Sequence, residues 1–155
     1  MGNISVRELG NFYVNGHEVI LSGLPRKVFV CQDGTTQNFD PNGQYEAGQM
    51  YVEYVKLAQP KAKYPLLMWH GGGLTGTTWG STPDGREGWR SLFLRYGHDV
   101  YVSDSVERGR ASWAMYPEIY RTFPEFTTKA ACWSNFRMGP VFAENHAKRV
   151  PYAGT

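Results

Sequence analysis

The sequence of 155 residues has few cysteines, no long apolar run and no concentration of positive charge. Cys31 and Cys132 have no C-x-x-C partner, so two buried free thiols are expected rather than a disulfide. No apolar stretch approaches the roughly 20 residues of a membrane-spanning helix. The 16 basic and 14 acidic residues leave a net charge of +2 without a basic stripe. We therefore expect neither a nucleic acid nor a membrane as partner.

Sequence signals for metals and cofactors are missing as well. The four histidines show neither an i, i+4 spacing nor an H-E-x-x-H motif, so no metal site is expected. The glycine run Gly71-Gly72-Gly73 has neither the G-x-G-x-x-G spacing of a dinucleotide site nor the lysine of a P-loop. We expect no cofactor.

Aromatic residues, by contrast, are abundant at 15% of the chain. Such a share suits a pocket or an interface as well as a core. The length is compatible with one domain. Residues 1–25 lack the basic start and apolar centre of a signal peptide, so the expected location is cytoplasmic, or periplasmic or secreted if a leader was removed.

The amino-terminal third has short β-like runs. Asn15-Gly16 lies between Phe12–Val14 and Glu18–Leu21, which predicts a hairpin with a two-residue turn. Lys27–Cys31 and Gly48–Val55 are further strand candidates. Together these runs predict an antiparallel meander.

The pattern changes at Pro65 to a continuous apolar strand that is followed by the glycine run. A helix is predicted over Trp89–Arg95, with an apolar face formed by Trp89, Leu92, Phe93 and Tyr96. Asp99–Asp104 is the next strand. Strand, glycine turn, helix and strand in this order predict a parallel βαβ unit and hence an α/β fold.

Beyond Trp113 the sequence is aromatic and interrupted by prolines, which favours short helices such as one around Thr128 to Arg137. The natural place for this stretch is a cap over the strand ends. Its aromatic residues are equally suited to lining a substrate pocket and to packing the cap on the core. Asp104 is expected to brace the Arg108-Gly109-Arg110 turn rather than to act in catalysis.

The apolar strand is followed by a turn, His70-Gly71-Gly72-Gly73, whose three glycines have no side chains. Ordering three successive glycines on folding costs more chain entropy than ordering other residues. Such a turn can bring backbone N–H groups against a developing negative charge, and His-Gly-Gly-Gly is the oxyanion-loop motif of α/β-hydrolase lipases and esterases. The alternative is a tight turn that only requires positive φ angles.

Several rare strings resemble the esterase 713-like branch of bacterial α/β-hydrolases, over roughly residues 45 to 145. They are His70–Trp79, Thr82–Trp89, Tyr101–Asp104, Glu107–Ser112 and Asn135–Pro140. The resemblance implies a Ser/His/acid hydrolase of carboxylic esters. Residues 1–112 would be the amino-terminal part of the α/β-hydrolase core with its oxyanion loop, and residues 113–155 the start of a helical cap.

The resemblance also implies roles for individual residues. Gly72 and Gly73 would donate their backbone N–H groups to the oxyanion, with His70 and Gly71 orienting the loop. Some members carry adjacent cysteines at the two donor positions, and this chain has glycines there, so a vicinal disulfide is excluded. Substrate contacts are expected from Trp79, Trp113 and Tyr116.

The sequence contains no Gly-x-Ser-x-Gly elbow, although the fold orders its triad as Ser, then acid, then His after the oxyanion loop. We therefore expect a second polypeptide that carries the Ser nucleophile, the acid and the catalytic His, and little activity in this chain alone. The expected substrate is a small-molecule ester, and dimerisation of the complete enzyme is left open. The alternative function is a non-catalytic, aromatic-rich module that binds a carbohydrate or an apolar ligand.

Overall fold

The computed structural model describes residues 2–114 and 116–137. Two short 3-10 helices, Gly76–Trp79 and Gly109–Ala111, accompany the regular elements. The strands and helices of the described residues are β1 (Val6–Val14), β2 (His17–Leu21), β3 (Lys27–Val30), β4 (Thr36–Phe39), β5 (Gly43–Ala47), β6 (Met50–Leu57), β7 (Leu66–Met68), α1 (Trp89–Arg95), β8 (Val100–Asp104) and α2 (Lys129–Asn135).

A mixed four-stranded sheet in the order β1-β6-β8-β7 forms the centre of the fold. Strand β6 pairs antiparallel with both β1 and β8, whereas β7 pairs parallel with β8. The predicted parallel unit of β7, α1 and β8 is confirmed. Because β7 and β8 are parallel, the loops after Met68 and after Asp104 both leave the sheet at the carboxyl ends of the strands.

The predicted amino-terminal meander is wrong. Strand β1 pairs with β6, β2 with β5 and β3 with β4, so the pairs are nested along one antiparallel ribbon. Val14 faces Met50 and His17 faces Ala47, which shows that the ladder resumes in the same register beyond Asn15-Gly16. The left-handed φ of 60° at Asn15 therefore belongs to an interruption of the ribbon and not to a reversal.

The reversal lies instead at residues 31–35, between β3 and β4. Cys31 N donates to Thr35 O over 2.8 Å, and Gly34 N donates to Cys31 O over 3.0 Å. Gly34 has a φ of 81°, and the Asp33 carboxylate accepts from Thr35 N. Asp-Gly is thus the hairpin turn of this ribbon, in the role that Asn-Gly was expected to fill.

The main core lies between the sheet and α1, where Leu57, Met68, Leu94, Val100 and Val102 are all buried. The bounds predicted for α1 are confirmed, but its predicted apolar face is wrong. Leu94 is the residue that the helix buries, with Phe93 packed partly against the core. Trp89, Leu92 and Tyr96 are exposed, because α1 carries apolar residues around more than one face and periodicity alone does not select between them.

The sheet retains uncovered apolar surface among the described residues. Strand β7 is the last strand of the sheet, and Leu67 in its centre is 58% exposed. Tyr101 faces Leu67 across the parallel pair and stacks on Tyr54 at 5.5 Å between ring centroids. Phe12 extends the aromatic row and is also exposed.

The described part of the expected cap contains one helix, α2, which confirms the helix predicted around Thr128 to Arg137. The Thr128 side chain caps it by accepting from Ala131 N over 3.1 Å. The remainder of the expected cap, residues 138–155, lies outside the described residues. Cys31 and Cys132 are free, as expected, although both are half-buried and not buried. No helix in the described ranges is long and apolar enough to cross a membrane.

The core position of Leu94 leads to a stability prediction. Leu94→Ala should lower the free energy of unfolding by about 2–5 kcal/mol, because it removes buried methyl groups and leaves a cavity against the sheet. Leu9→Ala is the matched control, since Leu9 is 72% exposed on β1. Urea titrations of both variants measure the difference, and equal losses would contradict the assigned core.

Candidate active site

The glycine run forms a closed turn directly after β7. Leu74 N donates to Gly71 O over 3.1 Å, and Gly73 has a φ of 73°. Glycine is required at position 73 because a side chain strains a backbone with that angle. The idealised Cβ of Gly73 would lie 3.8 Å from Thr127 Oγ1, which places the cap segment against the turn.

Gly71 and Gly72 have no such requirement. Neither has a positive φ. A Cβ on Gly72 would meet no atom within 4 Å, and one on Gly71 would make an ordinary 3.7 Å contact with Leu74. The N–H groups of Gly72 and Gly73 have no acceptor among residues 2–114 and 116–137. The turn thus contains unpaired N–H donors at neighbouring positions, with open space beside Gly72.

His70 anchors the start of this turn. Its ring is buried, with Nδ1 at 2.8 Å from Gly71 O and Nε2 at 3.1 Å from Ser105 N. A backbone N–H can only donate and a carbonyl can only accept, so Nε2 is the acceptor and Nδ1 carries the proton. Both ring nitrogens are therefore engaged in holding Gly71 and the end of β8 together. This geometry supports an orienting role for His70 over proton transfer to a substrate.

Asp104 fixes the other end of the turn from the last position of β8. Its carboxylate is 1% exposed and accepts from Gly76 N over 2.5 Å with Oδ1. With Oδ2 it accepts from Arg110 N over 2.9 Å and from Arg110 Nε over 2.7 Å. Gly76 is packed so closely that a Cβ would lie 2.7 Å from Val102. The expectation that Asp104 braces the arginine turn is confirmed, and the carboxylate also holds Gly76, which follows the glycine turn.

A second carboxylate extends this network to the rest of the sheet. Glu53 on β6 accepts from Arg110 Nη1 over 2.5 Å and from Arg90, on α1, through its other oxygen. Two arginines and two carboxylates thus link β6, β8, α1 and the loop after β8 without net charge. Beside them lies a cavity of about 520 Å³, which Thr77 and Ser81 also line.

Burial by itself would raise the pKa of Asp104, but the hydrogen bonds from Arg110 and from Gly76 N outweigh it and lower the pKa below its usual value. For Arg110, burial works against the charged form, while the hydrogen bond and attraction of Asp104 dominate and raise its pKa. The pair therefore stays ionised at neutral pH. A carboxylate with all of these partners is a structural anchor and not a proton donor.

The residues expected to contact substrate fall into two places. Trp79 packs partly against the main core, and its Nε1 is buried without a partner among the described residues. Trp113 and Tyr116 line a separate cavity of about 140 Å³ within residues 113–123. The structure does not bring Trp79 into that cavity, and the substrate role of all three stays a prediction.

Four residues of the site were not singled out as site residues from the sequence: Glu53, Gly76, Arg90 and Ser105. Ser105 directly follows β8, which runs parallel to β7. Since parallel strands end on the same side of the sheet, the strand order alone could have predicted that Ser105 lies next to His70. Glu53 and Arg90 gave no signal, because their meeting depends on the β6–β8 register and the docking of α1. No group of three side chains suited to a metal ion occurs in the described ranges.

The chain is similar to a bacterial esterase of known structure and to a curated lipase, although no family model matches it. A bacterial esterase of known structure superposes with a TM-score of 0.74 at 32% identity, over 92% of this chain and 45% of the esterase. A protein named as a probable secreted lipase, phiG, from Fungal sp. (strain ATCC 74256), is 45% identical over 84 residues, which are 54% of this chain and 22% of the lipase. The chain therefore spans less than half of either relative. It is related to α/β-hydrolase-like esterases and lipases.

The buried Asp104 anchor generates a pH prediction. The folded protein lowers the pKa of Asp104, so its stabilisation is complete above the unfolded pKa of about 3.9 and is lost as the pH falls through the lower folded pKa. Asp104→Asn should cost roughly 2 kcal/mol at pH 7, the typical loss for a charged hydrogen-bond partner. The gap to the wild type should be constant down to about pH 5 and narrow below pH 4.

Urea unfolding between pH 3 and pH 7 measures this gap. Asp84→Asn is the control, because Asp84 pairs with Arg86 in an exposed turn and its loss should change stability by less than about 1 kcal/mol. A variant of Asp104 that matches the wild type at pH 7 would contradict the anchoring role.

Proposed function

We propose that these 155 residues form the part of a serine hydrolase that stabilises the oxyanion during cleavage of carboxylic esters, as a member of the esterase 713-like branch. The observation that carries the proposal is the pair of unpaired N–H groups at Gly72 and Gly73 beside open space. A fold requirement accounts for Gly73 alone. The relationship to an esterase and a lipase supports the same reaction class.

The chemistry follows from where charge develops. Attack of a serine oxygen on an ester carbonyl converts the carbonyl oxygen into an oxyanion, and donors fixed at about 2.7–3.1 Å from that oxyanion stabilise the transition state. The donors act best when they need no reorganisation. Here His70 holds the first residue of the turn and Asp104 holds Gly76 behind it. The turn is thereby preorganised from both ends.

The nucleophile, the acid and the catalytic His are proposed to lie on a second polypeptide, either a separate chain or the other product of a chain break. Parallel strands are almost always covered on both faces and flanked by further strands. In the described residues β7 has a free edge, Leu67 is exposed, and α1 presents Trp89, Leu92 and Tyr96 to solvent. A further strand beside β7 and helices on both faces would cover this surface.

The name of one relative bears on the location of the complete enzyme. The lipase relative is named as secreted. For the proposed hydrolase this favours a periplasmic or secreted location over a cytoplasmic one. The competing function is a non-catalytic ligand-binding module. The aromatic cavity within residues 113–123 would suit such a module, but the module would not explain why Gly71 and Gly72 are glycines, since the turn does not require them.

Gly72 offers a direct test of backbone donation in the complete enzyme. Gly72→Pro removes one N–H and should lower turnover by about 10² or more. The second position of a turn accepts proline readily, and a Cβ at Gly72 meets no neighbour, so the fold should survive. Gly72→Ala is the matched control, since it adds the Cβ but keeps the N–H, and it should retain most of the activity.

The comparison of kcat for the two variants decides the outcome. If a folded Gly72→Pro enzyme has the same kcat as the wild type, the oxyanion must bind elsewhere. An equal large loss in both variants would mean that the site rejects any side chain at this position, and backbone donation by Gly72 would then be unsupported.

The second polypeptide is tested by mass and by activity. The native protein should sediment as a stable complex with a chain that contains a serine elbow, across an interface above the roughly 2,000 Å² at which obligate interfaces begin. Residues 1–155 alone should not turn over a simple aryl ester. A well-folded species at the 17.5 kDa of this chain, without a partner, would refute the complex and favour the binding-module alternative.

A further inference from the structure

The turn after β8 contains two arginines, and the structure gives their side chains different partners. Arg110 pairs with the buried carboxylate of Asp104. Arg108 makes two other contacts: its Nη2 donates to the Glu125 carbonyl, and its guanidinium lies over the Phe126 ring at 5.0 Å. Arg108 is therefore a half-buried cation without an ionised partner in the described part of the chain.

The backbone of Arg108 is fixed from both sides. Arg108 N donates to Ser105 O over 3.0 Å, and Ser105 N donates to the His70 ring. On the other side, a Cβ at Gly109 would lie 2.7 Å from Asp104 Oδ2, so the chain passes directly against the buried carboxylate. The loop that carries Arg108 is thus held by the same two residues that hold the glycine turn and the segment behind it, His70 and Asp104.

Glu125 brings the guanidinium close to the glycine turn. Its carbonyl oxygen, which accepts from Arg108 Nη2, lies 3.9 Å from the idealised Cβ of Gly73. A hydrogen bond adds at most about 3.2 Å, so Nη2 lies within about 7 Å of that position. Gly73 N is one of the two donors proposed for the oxyanion. A positive charge therefore lies close to the place proposed for the ester carbonyl.

The guanidinium of Arg108 has donors to spare. An arginine side chain carries five N–H groups in a planar fork that matches the two oxygens of a carboxylate. Among the described residues, Nη2 alone of its three nitrogens has an acceptor. Glu107 is adjacent in the chain and Glu125 supplies its carbonyl, but neither carboxylate forms an ion pair with Arg108. An external carboxylate can therefore bind without breaking an existing ion pair.

We propose that Arg108 binds an ionised carboxylate on the acyl part of the substrate, while the ester carbonyl lies against Gly72 and Gly73. This assignment rests on the proposed function, and it makes the substrate a monoester of a short dicarboxylic acid. With carbon–carbon bonds of about 1.5 Å and hydrogen bonds of about 2.8 Å at both ends, roughly two to four carbons bridge the carbonyl and the carboxylate. Arg108 then selects the substrate and takes no part in bond cleavage.

The test compares levulinate with methyl isoamyl ketone. Both probes carry a ketone in place of the ester and cannot be hydrolysed, and the isopropyl group of the second replaces the carboxylate of the first at nearly the same shape. Their affinities for the native protein, as purified with any bound partner, are measured by titration followed by NMR at low ionic strength. The wild type should prefer levulinate by about tenfold or more, the range of a hydrogen bond to a charged group.

Three variants locate the source of this preference. Arg108→Gln removes the charge but keeps an N–H group for the Glu125 carbonyl, so it should lose the preference. Arg108→Lys restores the charge without the fork, so it should keep a reduced preference. Arg7→Gln is the matched control, because it removes the same charge from an exposed position on β1, at the opposite edge of the sheet from β7. Thermal unfolding checks that each variant is folded.

The proposal is overturned if the wild type binds neither probe or both equally, if Arg108→Gln retains the preference, or if Arg7→Gln loses it to the same extent. Should the glutamine variant not fold, an unchanged preference in Arg108→Lys overturns it instead. Because neither probe is turned over, a protein that selects levulinate and hydrolyses no ester would count against the hydrolase function and not against the site at Arg108.

Discussion

The carboxylate of Asp104 is the contact on which the site depends most. It is buried at the end of β8, where three donors from two chain segments meet it: Gly76 N, Arg110 N and Arg110 Nε. An isolated charge at this depth would be too costly to keep. Arg110 supplies the opposite charge and is itself balanced by Glu53 on the neighbouring strand. The loop after the glycine turn is thus tied to the centre of the sheet through hydrogen bonds to charged groups, which are stronger than neutral ones.

The parallel pairing of β7 and β8 explains why this anchor reaches the glycine turn. Leu66 faces Val100 and Met68 faces Val102, so the residues that follow each strand emerge side by side. His70 and Ser105 meet there at 3.1 Å, and Asp104 meets Gly76. Two short loops that are distant in sequence brace one another because their strands end in register. An antiparallel pair would place the two loops at opposite ends of the sheet.

Local patterns in the sequence were sufficient for some elements of this structure. The α1 bounds, the parallel unit and the role of Asp104 each depend on periodicity, strand order or nearby arginines. For the amino-terminal ribbon the sequence predicts the wrong pairing, because Asn-Gly can form a break between two consecutive strands of one ladder as well as a hairpin turn. Only the pairing of His17 with Ala47, 30 positions away in the chain, distinguishes the two. The ion pair of Glu53 and Arg90 is not predictable from local sequence for the same reason, since the contact exists only after β6 and α1 have packed.

The glycine run itself separates what the fold requires from what it merely permits. Gly73 adopts a left-handed angle and lies against the cap segment, so the turn explains it completely. Gly72 has neither constraint, and an alanine there would save chain entropy worth about 0.4–1 kcal/mol without meeting another atom. A residue that weakens folding and is not needed by its own turn points to a constraint from outside the turn. Close approach of another molecule to the bare backbone would be such a constraint, and the N–H groups of Gly72 and Gly73, which have no acceptor among the described residues, are available to bind it.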